Sequence, residues 1–191
     1  DVAIQKLHVV LCLGRGGLVG EDGATHHGAF DLAFFGCIPN LTVAAPMDEL
    51  ELRNLMYTAM QGDMPFAIRY PRGTGTGIRW RGQQFESLPT GRGRKLRDGS
   101  GTAVVTIGTV GNFAAEAIAR AAAECIVDAA HYDLRFAKPL DEEMLHEIGS
   151  RFRRVITVED GILRGGVGEA VTAFFNRHGY AVKVRSLGID D

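Results

Sequence analysis

Between Gly14 and Asp31 the chain gathers Arg15, Glu21, Asp22, His26, His27 and Asp31, interleaved with Gly14, Gly16, Gly17, Gly20, Gly23 and Gly28. These residue types suit proton handling: an imidazole gives or takes a proton near pH 7, and a carboxylate orients it or accepts from a hydroxyl. Glycines let backbone approach a ligand with no Cβ in the way. A glycine-rich loop alone fits a structural turn equally well. Its position must therefore decide.

The loop follows an apolar run, Val9 to Leu13, that reads as a short buried strand. In an open α/β sheet such a loop lies at the carboxyl end of a strand, where ligands bind. The next strand candidate is LTVAA at 41 to 45, with a loop between the two. After Pro46, Asp48 and Glu51 have capping-box spacing, and Leu52, Leu55, Met56 and Ala59 recur at helical intervals. Met64 to Tyr70 returns to strand, so strand, helix and strand predict a right-handed parallel crossover. Residues 1–75 form the first domain on this reading, and the Gly- and Arg-rich stretch 76–100 is a linker. From 101 to 191, TAVVTIGT, IVDAAHYDLRF, RVITVED and Ala181 to Leu187 read as strands. Helical patterns at Asn112–Ala123, Asp141–Ile148 and Gly165–Asn176 alternate with them. The fold class is α/β: two doubly wound domains with mainly parallel sheets.

Composition narrows the function classes. Hydrophobic residues make up 46% of 191 residues, enough for two modest cores. The 25 glycines exceed the usual share of about 7% but are dispersed, which excludes collagen-like or disordered chains. A net charge of -2, from 21 basic and 23 acidic residues in mixed order, offers no field for nucleic acid or anionic lipid. No stretch approaches the 18 or more apolar residues of a membrane span. Cys12, Cys37 and Cys125 are odd in number without CxxC spacing, and two of them sit in apolar runs where a thiol packs as a small hydrophobe. A reducing, cytoplasmic setting fits. The start, DVAIQKLHVVLCL, has no signal-peptide pattern and no initiator methionine, so residue 1 reads as the middle of a longer protein.

The segments GLVGEDGATHHGAFDLAF, CIPNLTVAAPMDELELRNLMYTA and FAIRYPRG together resemble the pyrimidine-binding domain of the 1-deoxy-D-xylulose-5-phosphate synthase family, and the GEDGATH core is also similar to transketolase. DLRFAKPLDEEML and RVITVEDGILRGGVGEAV are similar to the carboxyl-terminal domain of the same family. The resemblance implies that pyruvate, attached to thiamine diphosphate, loses carbon dioxide and is condensed with glyceraldehyde 3-phosphate, with Mg2+ as the metal and a homodimer as the assembly. It assigns the acceptor's phosphate to Arg15 and Arg72, whose planar donor forks suit phosphate oxygens. It assigns the acceptor's hydroxyl and carbonyl to Asp22 and His26. The cofactor and metal ligands belong, in the family, to a domain upstream of residue 1, so the chain alone is expected to be inactive. Ordinary roles compete. Arg15 and Arg72 fit surface ion pairs, Asp22 a turn cap, His27 a structural loop histidine, Asp48 and Glu51 a helix cap, and Tyr70 strand packing. After the VITV strand, Glu159 and Asp160 sit where sheets place ligands, and RGGVGE offers amides to an anion.

Two positions depart from the family pattern: Gly14 replaces an aspartate before Arg15, and Gly36 replaces an arginine before Cys-Ile-Pro. They are the grounds for a competing reading, a non-catalytic dimerisation module. Another thiamine diphosphate enzyme, a transketolase or the β subunit of a 2-oxo acid dehydrogenase, is the remaining alternative, and RYPRG argues against both.

Overall fold

The computed structural model describes residues 1–190. The first sheet takes β1 (Val10–Leu13), β2 (Thr42–Ala44) and β3 (Phe66–Arg69), with β3 central and parallel to both neighbours. Strand β3 is buried at every position, as a central strand covered on both faces must be. The crossover from β2 to β3 runs through α2 (Glu49–Gln61). Its start is fixed by Asp48, in extended backbone, whose carboxylate accepts from the Glu51 N–H at 2.8 Å. Leu55 and Ala59 bury against β3, whereas Met56 of the same apolar pattern stands exposed.

The second sheet has the order β4-β6-β5-β8-β9. Strands β5 (Thr102–Thr106), β6 (Ala129–Asp133), β8 (Arg154–Ile162) and β9 (Lys183–Ile189) run parallel, and β4 (Arg94–Arg97) adds an antiparallel edge. Helices α3 (Val110–Ala123), α4 (Glu142–Arg151) and α5 (Val167–Arg177) supply the crossovers. The class is α/β with mainly parallel sheets.

Several local features differ from the sequence expectation. The connection between the first two strands is not wholly loop: it folds into two 3-10 turns, Gly20–Asp22 and Ala24–His26, and a short helix, α1 (Asp31–Gly36). The segment 76–100 contains β4 and is pinned to α2. Arg53 of that helix donates to the carbonyls of Trp80 (2.7 Å) and Gln84 (2.6 Å), Thr58 Oγ1 accepts from the Leu88 N–H (2.7 Å), and Leu88 is buried with Leu55 and Phe136. A chain held by side-chain bonds needs no periodic pattern of its own. The DLRFAK stretch turns away after β6 to form β7 (Phe136–Lys138), which pairs antiparallel with β2 in the first sheet. All three cysteines are exposed. Cys12 shows the reason: β1 is an outer strand, and alternation turns its thiol outward while Leu11 and Leu13 pack inward.

One cluster of buried apolar side chains runs through both sheets, from Leu41, Val43 and Ala67 to Val105, Tyr132 and Phe175. Glu51 is more than a cap. Its carboxylate accepts from the Met47 N–H (2.7 Å) and from Arg135 Nε (2.6 Å), and it pairs with Arg94 at 3.2 Å, so it ties α2 to the second sheet's edge. Among the described residues no helix is long and apolar enough to cross a membrane.

Candidate functional site

The glycine-rich loop leaves β1 at Leu13 and is fastened to the end of β3 by two backbone bonds, Tyr70 N–H to Leu13 C=O (3.0 Å) and Gly16 N–H to Tyr70 C=O (2.9 Å). Gly17 and Gly28 then bond each other reciprocally, at 3.0 and 2.9 Å, and close a neck. Glycine is required there: Gly17 has φ of +77°, and a Cβ on Gly28 would run into the Arg15 carbonyl. Within the loop His27 Nδ1 accepts from the Val19 N–H at 3.0 Å, a structural role.

Arg15 and Arg72 converge on Asp22. Arg15 Nε donates to Asp22 Oδ2 at 2.8 Å, and Arg72 Nη1 pairs with Asp22 Oδ1. Both guanidinium side chains are about half exposed, at 51% and 53%, while Asp22 is 19% exposed. Two cations around one anion leave a net positive charge, with several N–H donors still directed to solvent. That arrangement can accept a phosphate dianion, and the shared carboxylate can meet a neighbouring hydroxyl. His26 lies one turn further along, its Nδ1 3.1 Å from Thr25 Oγ1.

A buried arginine that motif reading passed over supports this cluster. Arg69, 2% exposed at the end of β3, donates through Nε to both Asp31 oxygens (3.0 and 2.9 Å). Its Nη2 donates to the carbonyls of Gly28 (3.0 Å) and Asp160 (3.2 Å), and its Nη1 pairs with the Asp160 carboxylate. Burial pushes the Asp31 carboxyl above the ordinary carboxylate range, and the Arg69 charge opposes that shift. The signal in the sequence was a charge inside the otherwise apolar strand MPFAIRY.

The second sheet contributes the end of β8. Asp160 reaches Arg69, and the Ile162 N–H donates to the Ala29 carbonyl at 2.7 Å. Glu159 faces inward, accepting from the N–H groups of Val167 (3.0 Å) and Gly168 (2.8 Å) at the start of α5. Burial raises its pKa, and those two amides partly offset the rise. With Gly165 N–H donating to Glu169 and Gly166 N–H to the Leu163 carbonyl, the amides from Gly165 to Gly168 are all taken by the protein's own acceptors and are not open to an outside anion.

The two departures from the family pattern are sterically open. A Cβ on Gly14 would lie 3.7 Å from Tyr70 Cε2, and one on Gly36 would meet nothing within 4 Å. Two surface clefts, one of about 300 Å3 lined by residues that include Arg92, Lys95, Tyr132 and Glu147 and one lined by residues that include Ile162 and Glu169, contain none of Arg15, Asp22, His26 or Arg72. The Asp22 cluster is an open surface site, which chemistry rather than cavity shape identifies. Among the described residues no group of three or more His, Cys, Asp or Glu is placed to hold a metal, and no buried side-chain polar atom lacks a partner. The residues present do not fit the diphosphate and metal end of thiamine diphosphate.

Residues 1–76 match the family model "Transketolase, pyrimidine binding domain", and residues 91–191 match "Transketolase, C-terminal domain". The chain is 58% identical to 1-deoxy-D-xylulose-5-phosphate synthase of Bacteroides fragilis over 192 aligned residues, covering all of this chain and 30% of that protein. The same enzyme from Parabacteroides distasonis is 55% identical and that from Chlorobaculum tepidum 46% identical, each again over all of this chain and 30% of the relative. The chain thus spans about 30% of the length of these curated relatives. A solved structure described as "Split gene transketolase, inactive beta4 tetramer" superposes with a TM-score of 0.86 at 28% identity, over 99% of this chain and 60% of that one.

Proposed function

This chain belongs to the transketolase family, and from that premise we propose that it is the acceptor-binding part of a 1-deoxy-D-xylulose-5-phosphate synthase. The reaction is the condensation of pyruvate with glyceraldehyde 3-phosphate, with loss of carbon dioxide, on the way to isoprenoid precursors. The observation that carries the reading is the convergence of Arg15 and Arg72 on Asp22 at the mouth of the GEDGATH loop. Arg15 and Arg72 bind the phosphate of glyceraldehyde 3-phosphate, Asp22 accepts from its hydroxyl, and His26 gives or takes the proton at its carbonyl oxygen. Identity of 46% to 58% with synthases of this name supports the same substrates.

Thiamine diphosphate, when bound, would supply the carbanion chemistry, with Mg2+ as its companion metal. Most of their ligands are expected outside this chain, since among the described residues no cluster is placed to hold a metal. The reading carries a domain plan of 1–75 as partial pyrimidine-binding domain, 76–100 as linker, with its β4 end joined to the second sheet, and 101–191 as C-terminal domain, in a cytoplasmic homodimer. The dimerisation-module alternative rests on Gly14 and Gly36; the open space at both positions means that neither glycine is demanded by packing.

Titration calorimetry of the chain with glyceraldehyde 3-phosphate, and separately with inorganic phosphate, tests the proposal. Binding that weakens on the order of tenfold in Arg15→Ala and in Arg72→Ala supports it. Binding that is absent, or that ignores both substitutions, would falsify the acceptor assignment and favour the module. Pyruvate turnover by the 191-residue chain alone is expected to be nil.

A further inference from the structure

We infer that Asp160, on β8 of the second sheet, is a positioning residue for the acceptor loop of the first, acting through Arg69. The inference rests on the reading of Arg15, Asp22 and Arg72 as the acceptor site and adds a role for the C-terminal half of the chain in that site.

The loop has almost no apolar anchorage. Neither 3-10 turn contains a buried residue, so polar contacts at the neck fix where Arg15 and Asp22 stand. Both sides of that neck rest on one ion pair. Gly28 C=O accepts from Arg69 Nη2 at 3.0 Å. A Cβ on Gly16 would lie 2.9 Å from Arg69 Nε, and one on Gly17 would lie 2.7 Å from Asp160 Oδ2, so the glycine backbone lies directly against the pair. The Ile162 to Ala29 backbone bond adds a fourth point of contact, the second from β8. The neck is thus built from one sheet's loop and the other sheet's strand end.

Charge balance makes Asp160 the informative position. Arg69 faces two carboxylates, Asp31 and Asp160. Replacing Arg69 leaves two partly buried anions without their cation, which threatens the fold. Replacing Asp160 leaves the balanced pair Arg69–Asp31, and removes the carboxylate arm from β8 while the Asp160 carbonyl and the Ile162 N–H keep their bonds.

The test compares Asp160→Ala and Asp160→Asn with the unaltered 191-residue chain, and uses Glu143→Gln, at an exposed ion pair away from the loop, as control. Amide hydrogen exchange is read at Gly17 and Gly28, glyceraldehyde 3-phosphate affinity by calorimetry, and thermal midpoint by circular dichroism. In Asp160→Ala the two neck amides exchange faster while β5 amides do not, and affinity falls on the order of tenfold, as displacement of a binding group by a fraction of an ångström predicts. Asp160→Asn, which keeps an acceptor for Arg69, recovers part of both effects, and Glu143→Gln matches the unaltered chain. Neck amides that exchange as before in Asp160→Ala overturn the inference, and so does faster exchange without loss of affinity. If the unaltered chain binds no glyceraldehyde 3-phosphate, the acceptor reading falls, and neck exchange alone still decides whether Asp160 holds the loop.

Discussion

Asp22 holds together two guanidiniums that would otherwise repel, and each keeps about half of its side chain exposed for a phosphate to approach. The family resemblance singles out Asp22, Arg15 and Arg72, which the fold brings together, but gives no role to Arg69, the first residue of the same RYPRG string. Arg69, Asp31 and Asp160 act through distances that no string records: Arg69 and Asp160 are 91 positions apart and meet only once two sheets have formed. Glu159 is the same kind of residue. Replacing it with alanine leaves the Val167 and Gly168 amides without their acceptor at the start of α5, which should cost about 2 kcal/mol, measured as a lower urea midpoint. A loss under about 0.5 kcal/mol would show that water replaces the carboxylate at no cost. Gly14→Asp should fold with stability unchanged within about 0.5 kcal/mol, since its backbone has no positive φ and its Cβ only an ordinary contact. A large loss would mean that Tyr70 cannot accommodate the added group.

At the scale of elements, strand β6 carries two opposed titrations. Burial, then the Arg94 charge, hold His131 down to about 4, so the stability it contributes is full above 6.5 and is lost as pH falls toward 4. Burial, then the Glu51 charge, push Asp133 up to about 7 against Arg94 and Arg135, so its contribution is greatest below 3.8 and is lost as pH rises toward 7. Between those limits the two slopes oppose each other. His131→Gln should leave urea midpoints that fall as pH rises through this window, and Asp133→Asn midpoints that rise; parallel profiles for the two variants would refute the pairing. The strands and long helices were readable because apolar periodicity reports burial directly. Segment 76–100 was not, because what orders it is the side-chain row Arg53, Asn54 and Thr58 on α2, which bonds its main chain. Arg53→Ala should therefore speed tryptic cleavage after Arg79 and Arg81, followed by mass spectrometry, without altering the cleavage pattern beyond residue 100. Equal cleavage rates would count against that tether.

For the whole molecule, the shared core and the bonds from Glu51 to Arg94 and Arg135 predict that the two sheets unfold as one cooperative unit. Far-ultraviolet dichroism and the fluorescence of Trp80 should follow the same urea transition; separated midpoints would mean that the halves unfold independently. The alternation of strands and helices made two domains legible, but not that β7 leaves the second half of the chain to finish the first sheet. That strand sets an order of events during synthesis. When β3 has left the ribosome, the outer edge of β2 has no partner and waits for residues 136–138, several seconds at about 5–20 residues per second. An unpaired strand edge invites pairing with a neighbouring nascent chain. The gap between Arg69 and Phe136 is thus a window of exposure in translation, and slow codons placed within it would lengthen the time the half-made sheet stands open.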